Sequence, residues 1–256
     1  MPVGMGKLVK LQKLTDFIVG EQQRGSGLGE LGELRNLQGW LTLENLENDV
    51  NEGDALRANL KDKKGLRELE YCWKNNYGSV DASLLLQLLR PHVNVERIDI
   101  TGFSGTSLPD WLGDSSYSKL VSLVLHGGKH CTHLPPVGQL PFLEILWIIG
   151  FDSVVSVGAE FYGGGSGKSS TQQQPFQSLK KLNFKVMARW EEWISNDDGR
   201  QGSRRRAFPI LERLELTLCG ELRRVNHMFL PSVVELRILL AFQLKTSMLR
   251  IVTSMF

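Results

Sequence analysis

One glycine-rich stretch carries the residue types of a phosphate-binding loop. Residues 163–169 read Gly-Gly-Gly-Ser-Gly-Lys-Ser. A phosphate-binding loop needs a further glycine four residues before the Gly-Lys pair, at position 162, where Tyr162 stands instead. Serine, threonine and glutamine follow up to Pro175, and this composition predicts a flexible inserted loop over residues 163–175. A nucleotide-binding enzyme that uses residues 163–169 is the alternative hypothesis.

A second group of residues has metal-binding chemistry. His126, His130, Cys131 and His133 fall within eight positions. Structural zinc sites usually have four ligands that converge on one point, and this spacing matches no standard Cys/His pattern. The sequence therefore predicts an exposed connector with Cys131 turned inward, and no metal.

Basic residues are concentrated in one further stretch, at Arg200 and at Arg204–Arg206. Such a stretch could bind phosphate or act as a nuclear address, but Asp197 and Asp198 cancel part of its charge. We therefore expect a polar, basic loop over residues 195–206. No spacing in the chain indicates a Ser-His-Asp or Cys-His arrangement, so we expect neither catalysis nor a cofactor.

Composition narrows the class of protein. The chain has 256 residues, 23% of them charged, and a net charge of +2, which argues against disorder and against nucleic-acid binding. No apolar run is long enough for a membrane span, and lysines interrupt the N-terminal residues where a signal peptide would be apolar. The three cysteines are odd in number and far apart, which favours a reducing compartment. We expect a cytoplasmic protein, with the nucleus as a second location.

Leucine is the unusual residue, with 41 copies. Many belong to a recurring unit Leu-x-x-Leu-x-Leu in which other apolar residues are allowed, at intervals of about 22 to 36 residues. Clear copies begin at Leu66, Val95, Leu120, Leu143, Leu179, Leu211 and Val233, and a variant begins at Leu34. A helix does not explain the unit, because its third apolar residue falls at i+5 on a different helical face.

These units predict the elements that position every candidate residue. The last two apolar residues of a unit lie two apart, so they share one face of a short strand. Stacked copies merge those faces into one core. The fold class expected is a leucine-rich-repeat solenoid, a curved horseshoe with parallel strands on its concave face and irregular, 3₁₀ or short helical return arms. We expect a single domain over residues 1–256 with about nine irregular repeats and an atypical end over residues 239–256.

Function is expected on the concave face, where residues between the apolar positions are exposed. The exposed charges run from acidic and mixed in the first half to more basic in the second, with an apolar patch around Trp147 in between. An exposed tryptophan among aliphatic residues is typical of a protein-binding centre. The candidate binding residues are Glu68, Glu70, Arg97, Asp99, His126, Ile145, Trp147, Ile149, Lys181, Lys185, Arg213 and Glu215.

Several segments, in their order along the chain, resemble the leucine-rich-repeat region of plant intracellular disease-resistance proteins of the coiled-coil class, which carry a nucleotide-binding domain before the repeats. The segments that carry the resemblance are Met5–Leu8 with Leu11, Phe17–Gly20, Gly29–Val50, Ala58–Lys64, Leu108–Asp114, Leu134–Pro141, Gly158–Gly163 and Trp190–Trp193. Each segment is weak by itself, and their order is specific.

The resemblance implies a non-catalytic protein-interaction module in plant defence and innate immunity. Its implied partners are a pathogen effector, a guarded host protein, or a nucleotide-binding domain in cis or in trans, which the repeats would hold inactive. The nucleotide-binding domain itself is absent from these residues, so its ATPase switch does not carry over. A truncated, non-functional receptor fragment stays open as a second alternative.

Overall fold

A computed structural model describes residues 1–20, 27–48, 51–74, 82–163, 174–194, 207–226 and 230–239. Most of the expected loop at 163–175, all of the loop at 195–206 and nearly all of the end at 239–256 lie outside the described residues. The described strands are β1 Asp16–Ile18, β2 Gln38–Glu44, β3 Gly65–Cys72, β4 Arg97–Thr101, β5 Ser122–His126, β6 Ile145–Ile149, β7 Ser156–Val157, β8 Lys181–Lys185, β9 Glu192–Ile194, β10 Arg213–Thr217, β11 Arg224–Asn226 and β12 Glu235–Leu239.

Nine of these strands form one parallel sheet in the order β1-β2-β3-β4-β5-β6-β8-β10-β12. The register keeps equivalent motif residues side by side, so that Leu69, Ile98 and Leu123 lie in one row. Leu146, Leu182 and Leu214 continue that row. All six side chains are buried, and the expected leucine-rich-repeat solenoid is confirmed.

The return arms of the first half are helical. The α-helices are α1 Glu52–Ala58 and α2 Ala82–Leu88, and the 3₁₀ helices are Met5–Lys7, Leu28–Glu33, Leu60–Asp62, Asp110–Gly113 and Val137–Gln139. The N-cap of α1 is Asn51, whose Oδ1 accepts a hydrogen bond from the Asp54 amide at 2.9 Å. No helix in the described parts of the chain combines the length and apolar character that a bilayer crossing requires.

A left-handed residue follows most strands of the large sheet. Gly102, Gly127 and Gly150 have φ of 70°, 92° and 72°, and Val186 and Leu218 occupy the same place at 54° and 58°. In each repeat the amide of this residue donates to the carbonyl of the last residue of the next strand, at 2.8 to 2.9 Å. At Gly102 a Cβ would lie 2.0 Å from the Trp73 carbonyl oxygen, so only glycine fits there.

After β6 the return arms change from helix to strand. The strands β7, β9 and β11 pair in parallel and form a second, three-stranded sheet. The space between the two sheets holds a cluster of rings whose neighbouring centroids lie 4.8 to 6.1 Å apart. The members of this aromatic cluster are Phe161, Tyr162, Phe176, Phe184, Trp190, Trp193 and Phe208.

One buried cation links two repeats of the first half. Lys63 is 1% exposed, and its Nζ donates to the carbonyl oxygens of Leu31 at 2.6 Å and Leu34 at 3.2 Å. These carbonyls lie at the end of a 3₁₀ helix of the preceding repeat, where each also accepts a backbone amide, so Lys63 adds a second donor to both. Burial lowers the pKa of Lys63 to about 8, and the Arg35 charge adds to this shift.

Candidate functional site

The sheet register arranges the exposed concave residues in three ladders that cross the strands. The middle ladder is Thr42, Glu70, Asp99, Val124, Trp147, Asn183, Glu215 and Arg237. The first ladder, nearer the start of each strand, includes Glu68, Arg97, Ile145, Lys181 and Arg213, and the last ladder includes His126, Ile149 and Lys185. All twelve predicted residues therefore lie on these ladders, and none belongs to the core.

The centre of the face is apolar. Trp147 is 44% exposed. Its ladder neighbours are Val124 on β5 and Asn183 on β8, and the half-buried Ile145 and Ile149 lie on its own strand. An accessible indole framed by aliphatic side chains offers the large, rigid contact area that protein interfaces favour.

On the β3 and β4 side of this centre the face is acidic. Glu68 and Glu70 neighbour Arg97 and Asp99 across the strands, and Glu68 forms a 3.8 Å ion pair with Arg97. Burial raises the pKa of Asp99 above its ordinary value; the Arg97 charge opposes the shift, and the carboxylates of Glu70 and Glu68 add to it. Asp99 Oδ1 is buried and accepts no hydrogen bond from the described residues. A carboxylate in this state would gain from an external cation.

On the β8 side the face is basic. Lys181 and Lys185 are exposed at the two ends of β8, with Asn183 between them. Neither lysine has an ion-pair partner among the described residues, whereas Arg213 pairs with Glu235 on the neighbouring strand. Asn183 Oδ1 is buried and, like Asp99 Oδ1, lacks a hydrogen-bond partner in the described chain. This side therefore offers free positive charge beside Trp147.

The sequence did not identify the part of the face formed by β2. Trp40 is 54% exposed and neighbours Glu68 on the first ladder. A register shift between Gly39 and Trp40 disturbs the pairing of β2 with β3. The variant repeat unit that begins at Leu34 therefore did not indicate which residues of this strand are exposed. The alternation of Trp40 and Thr42 with the buried Leu41 was the available signal.

The other chemistry-bearing groups do not converge with this face. Cys131 is buried, as expected, and its Sγ donates to the Gly105 carbonyl oxygen at 3.5 Å. In the described ranges no group of three or more His, Cys, Asp or Glu side chains is placed to hold a metal ion. Tyr162 is buried, and its hydroxyl accepts a hydrogen bond from Trp193 Nε1 at 2.8 Å. Lys168 and Ser169 of the glycine-rich stretch, and Arg200 with Arg204–Arg206, lie outside the described residues.

The three cysteines are free thiols. Cys131 and Cys219 are buried, and Cys72 is half-buried on the last ladder. Burial raises the pKa of Cys72 and of Cys131 to about 12 and that of Cys219 to about 11. All three thiols are therefore protonated near neutral pH, which makes them poor nucleophiles.

Comparison with known proteins relates the chain to the leucine-rich repeats of plant disease resistance proteins. Residues 28–151 match the family described as R13L1/DRL21 leucine-rich repeats. The chain is 37% identical over 234 residues to disease resistance RPP13-like protein 1 of Arabidopsis thaliana, which covers 88% of this chain and 22% of that protein. It is 32% identical over 222 residues to disease resistance protein RGA2 of Solanum bulbocastanum, over 84% of this chain and 21% of that protein. The chain thus spans about a fifth of the length of these relatives.

Proposed function

Because the chain belongs to the leucine-rich-repeat family of plant disease resistance proteins, we propose that it is a non-catalytic module that binds another protein in the defence response. The observation that carries the proposal is Trp147, an exposed indole at the centre of a concave, solvent-facing sheet. Exposed apolar centres with charged surroundings are the usual anatomy of a protein interface.

The partner we propose is a pathogen effector, a guarded host protein, or a nucleotide-binding domain in cis or in trans. The relatives are disease resistance proteins, which supports a defence role, and their greater length leaves room for domains that the repeats could hold inactive. The candidate surface comprises the twelve predicted binding residues, all of which lie on the three ladders. Nucleic acid fits this surface poorly, because its acidic half would repel phosphates.

The site of action we propose is the cytoplasm, with the nucleus as a second location. The support is the resemblance to intracellular receptors together with the three free thiols, since secreted proteins usually pair their cysteines.

The test compares Trp147→Ala with a matched control, Phe142→Ala. Phe142 is 53% exposed but lies outside the strands, between the 3₁₀ helix Val137–Gln139 and β6. Tagged wild type and both variants would be expressed in plant tissue, and captured proteins quantified by mass spectrometry. We expect Trp147→Ala alone to lose specific partners, with an affinity loss of about 30-fold or more for the purified partner. Undiminished capture by Trp147→Ala would contradict the proposal.

The enzyme alternative has its own test. A nucleotide-binding enzyme that uses residues 163–169 would bind ATP with magnesium saturably, and isothermal titration measures this directly. We expect no saturable heat. Binding in the micromolar range that is lost in Lys168→Ala would overturn the non-catalytic proposal.

A further inference from the structure

The charges beside the apolar centre are segregated by sign. The acidic end consists of Glu68, Glu70 and Asp99 on β3 and β4, together with one exposed arginine, Arg97, that pairs with Glu68. The basic end consists of Lys181 and Lys185 on β8. Between these ends lie β5 and β6, whose exposed or half-buried ladder residues are Val124, His126, Ile145, Trp147 and Ile149. The charge of the concave face thus changes from negative at β3 and β4, through an uncharged middle, to positive at β8.

The two ends are close enough for one short segment to touch both. From β4 to β8 there are three strand-to-strand steps, which amount to about 14 Å at the usual sheet spacing. An extended peptide covers this distance with about four to five residues. A single segment can therefore place one charged side chain at each end and an apolar side chain over Trp147.

The fold leaves most of these charges unneutralised. Lys181, Lys185, Glu70 and Asp99 have no ion-pair partner within the described ranges. The exception is Glu68, which pairs with Arg97 on β4 at 3.8 Å, and on the strand beyond β8 Arg213 pairs with Glu235. Four charges that flank the apolar centre are thus free. Free charges around a dry centre steer a complementary partner and fix its orientation.

We propose that the concave face binds a bipolar protein segment, with lysine or arginine against the acidic end, apolar side chains over Trp147, and aspartate or glutamate against Lys181 and Lys185. The inference rests on the proposed protein-binding function and specifies the chemistry of the partner. A segment of uniform charge would meet repulsion at one end. The half-buried Asp99 carboxylate, whose pKa is raised, would be stabilised by the incoming cation.

The test uses two synthetic peptides of equal composition and the full chain. The bipolar peptide has a lysine block, a Leu-Phe-Leu centre and a glutamate block; in the control peptide lysine and glutamate alternate around the same centre. Fluorescence anisotropy at low salt measures binding to each. We expect the wild type to bind the bipolar peptide about tenfold more tightly than the alternating one, with the difference shrinking as salt is added.

Charge-reversal variants make the test directional. Glu68→Lys with Glu70→Lys, or Lys181→Glu with Lys185→Glu, should each weaken binding of the bipolar peptide about tenfold. The variant with all four changes should recover it, because the peptide then binds in the opposite direction. Lys61→Glu with Lys64→Glu, two exposed lysines before β3 and off the concave face, is the matched control and should change nothing. Circular dichroism checks the fold of each variant.

Each outcome bears on one proposal. Equal binding of both peptides, lost in Trp147→Ala, would overturn the bipolar inference and leave the protein-binding function in place. Absence of bipolar-peptide binding up to about 1 mM, or indifference to all four reversals, would also overturn the inference. The protein-binding function is judged separately, by partner capture with Trp147→Ala.

Discussion

The part of the solenoid up to β6 has an aliphatic core, whereas the part after β6 has an aromatic one. Of the 41 leucines, 28 precede residue 150. After that point eight of the twenty buried apolar residues that the structure describes carry rings, namely Phe151 and the seven members of the aromatic cluster, against six of thirty-seven before it. The strands of the concave sheet are nearly unchanged between the two parts, so the cause lies in the return arms.

The return arms differ in the kind of side chain they send inward. The helix α1 buries Ala55 and Ala58, and α2 buries Ala82, Leu85 and Leu86. By contrast the arm that contains β7 buries Phe161 and Tyr162 as well as Val157, and the arm that contains β9 buries Trp190 and Trp193. Large rings in these arms thus fill the space to the concave sheet that small and aliphatic side chains of α1 and α2 fill in the first part.

Trp193→Ala is the change expected to have the largest effect on this comparison. Its indole is fully buried, packs against Phe184, Trp190 and Phe208, and donates a hydrogen bond to the Tyr162 hydroxyl. We expect a loss of about 4 kcal/mol in the free energy of unfolding, measured by urea denaturation.

Because repeats contact mainly their neighbours, the loss should be confined to the aromatic part. Hydrogen exchange would then quicken at β8 and β10 while β3 and β4 stay protected. A loss below about 2 kcal/mol, or equal exchange in both parts, would count against the view that rings fill the space between the two sheets. Leu85→Ala in α2 is the matched change on the aliphatic side, where Leu86 and Ala82 remain to fill the space.

The sequence predicted the concave sheet well because each repeat presents the same apolar pair two residues apart. The strands β4, β5, β6, β8 and β10 lie where the motif placed them, as β12 does at the end. The exposed candidates follow from strand alternation alone, which is why all twelve lie on the ladders. Their grouping into acidic, apolar and basic regions could also be predicted, because stacked repeats place equivalent residues of neighbouring strands side by side.

The sequence did not predict the second sheet. Its strands have two or three residues each, so they contain no periodic pattern to detect. Lys63 was missed for a different reason, since a lysine among other charged residues indicates a surface position. Only the three-dimensional placement of the Leu31 and Leu34 carbonyls gives it a buried role. What sequence patterns miss here are contacts between repeats outside the concave sheet.

Lys63 allows the aliphatic part to be probed by pH. Its pKa of about 8 lies below the ordinary value of 10.5, so between these two pH values the unfolded chain binds more protons than the folded one. The burial penalty of the charged lysine is fully present below pH 8 and disappears as the pH rises through this window. The stability of the wild type relative to Lys63→Met should therefore increase by up to about 3 kcal/mol from pH 8 to 10.5.

Urea denaturation of both proteins at the two pH values measures this difference. Comparison with Lys63→Met is needed because the buried cysteines, whose pKa values are raised, shift stability in the opposite direction over the same window. Lys63→Met leaves those thiols unchanged, so their contribution cancels. A pH-independent difference between the two proteins would contradict a lowered pKa at Lys63.

The smallest expected effect concerns the left-handed residue after the strands, which is glycine at three positions up to β6 and Leu218 after β10. Leucine at φ 58° is strained by contact between its Cβ and the backbone, whereas asparagine tolerates this conformation. Leu218 is 42% exposed, so its replacement gives up little buried area. We therefore expect Leu218→Asn to stabilise the protein by about 0.5 to 1 kcal/mol in urea denaturation.

Ile210→Asn is the matched control, because Ile210 is 41% exposed but does not have a positive φ. This control should be neutral or slightly destabilising, since it loses apolar contact without relieving strain. If Leu218→Asn were as destabilising as Ile210→Asn, the packing of the Leu218 side chain would stabilise the protein by more than the strain of its left-handed backbone destabilises it. The left-handed turn of the aromatic part would then be held by side-chain contacts, in contrast to the turn at Gly102 in the aliphatic part, where a Cβ has no room.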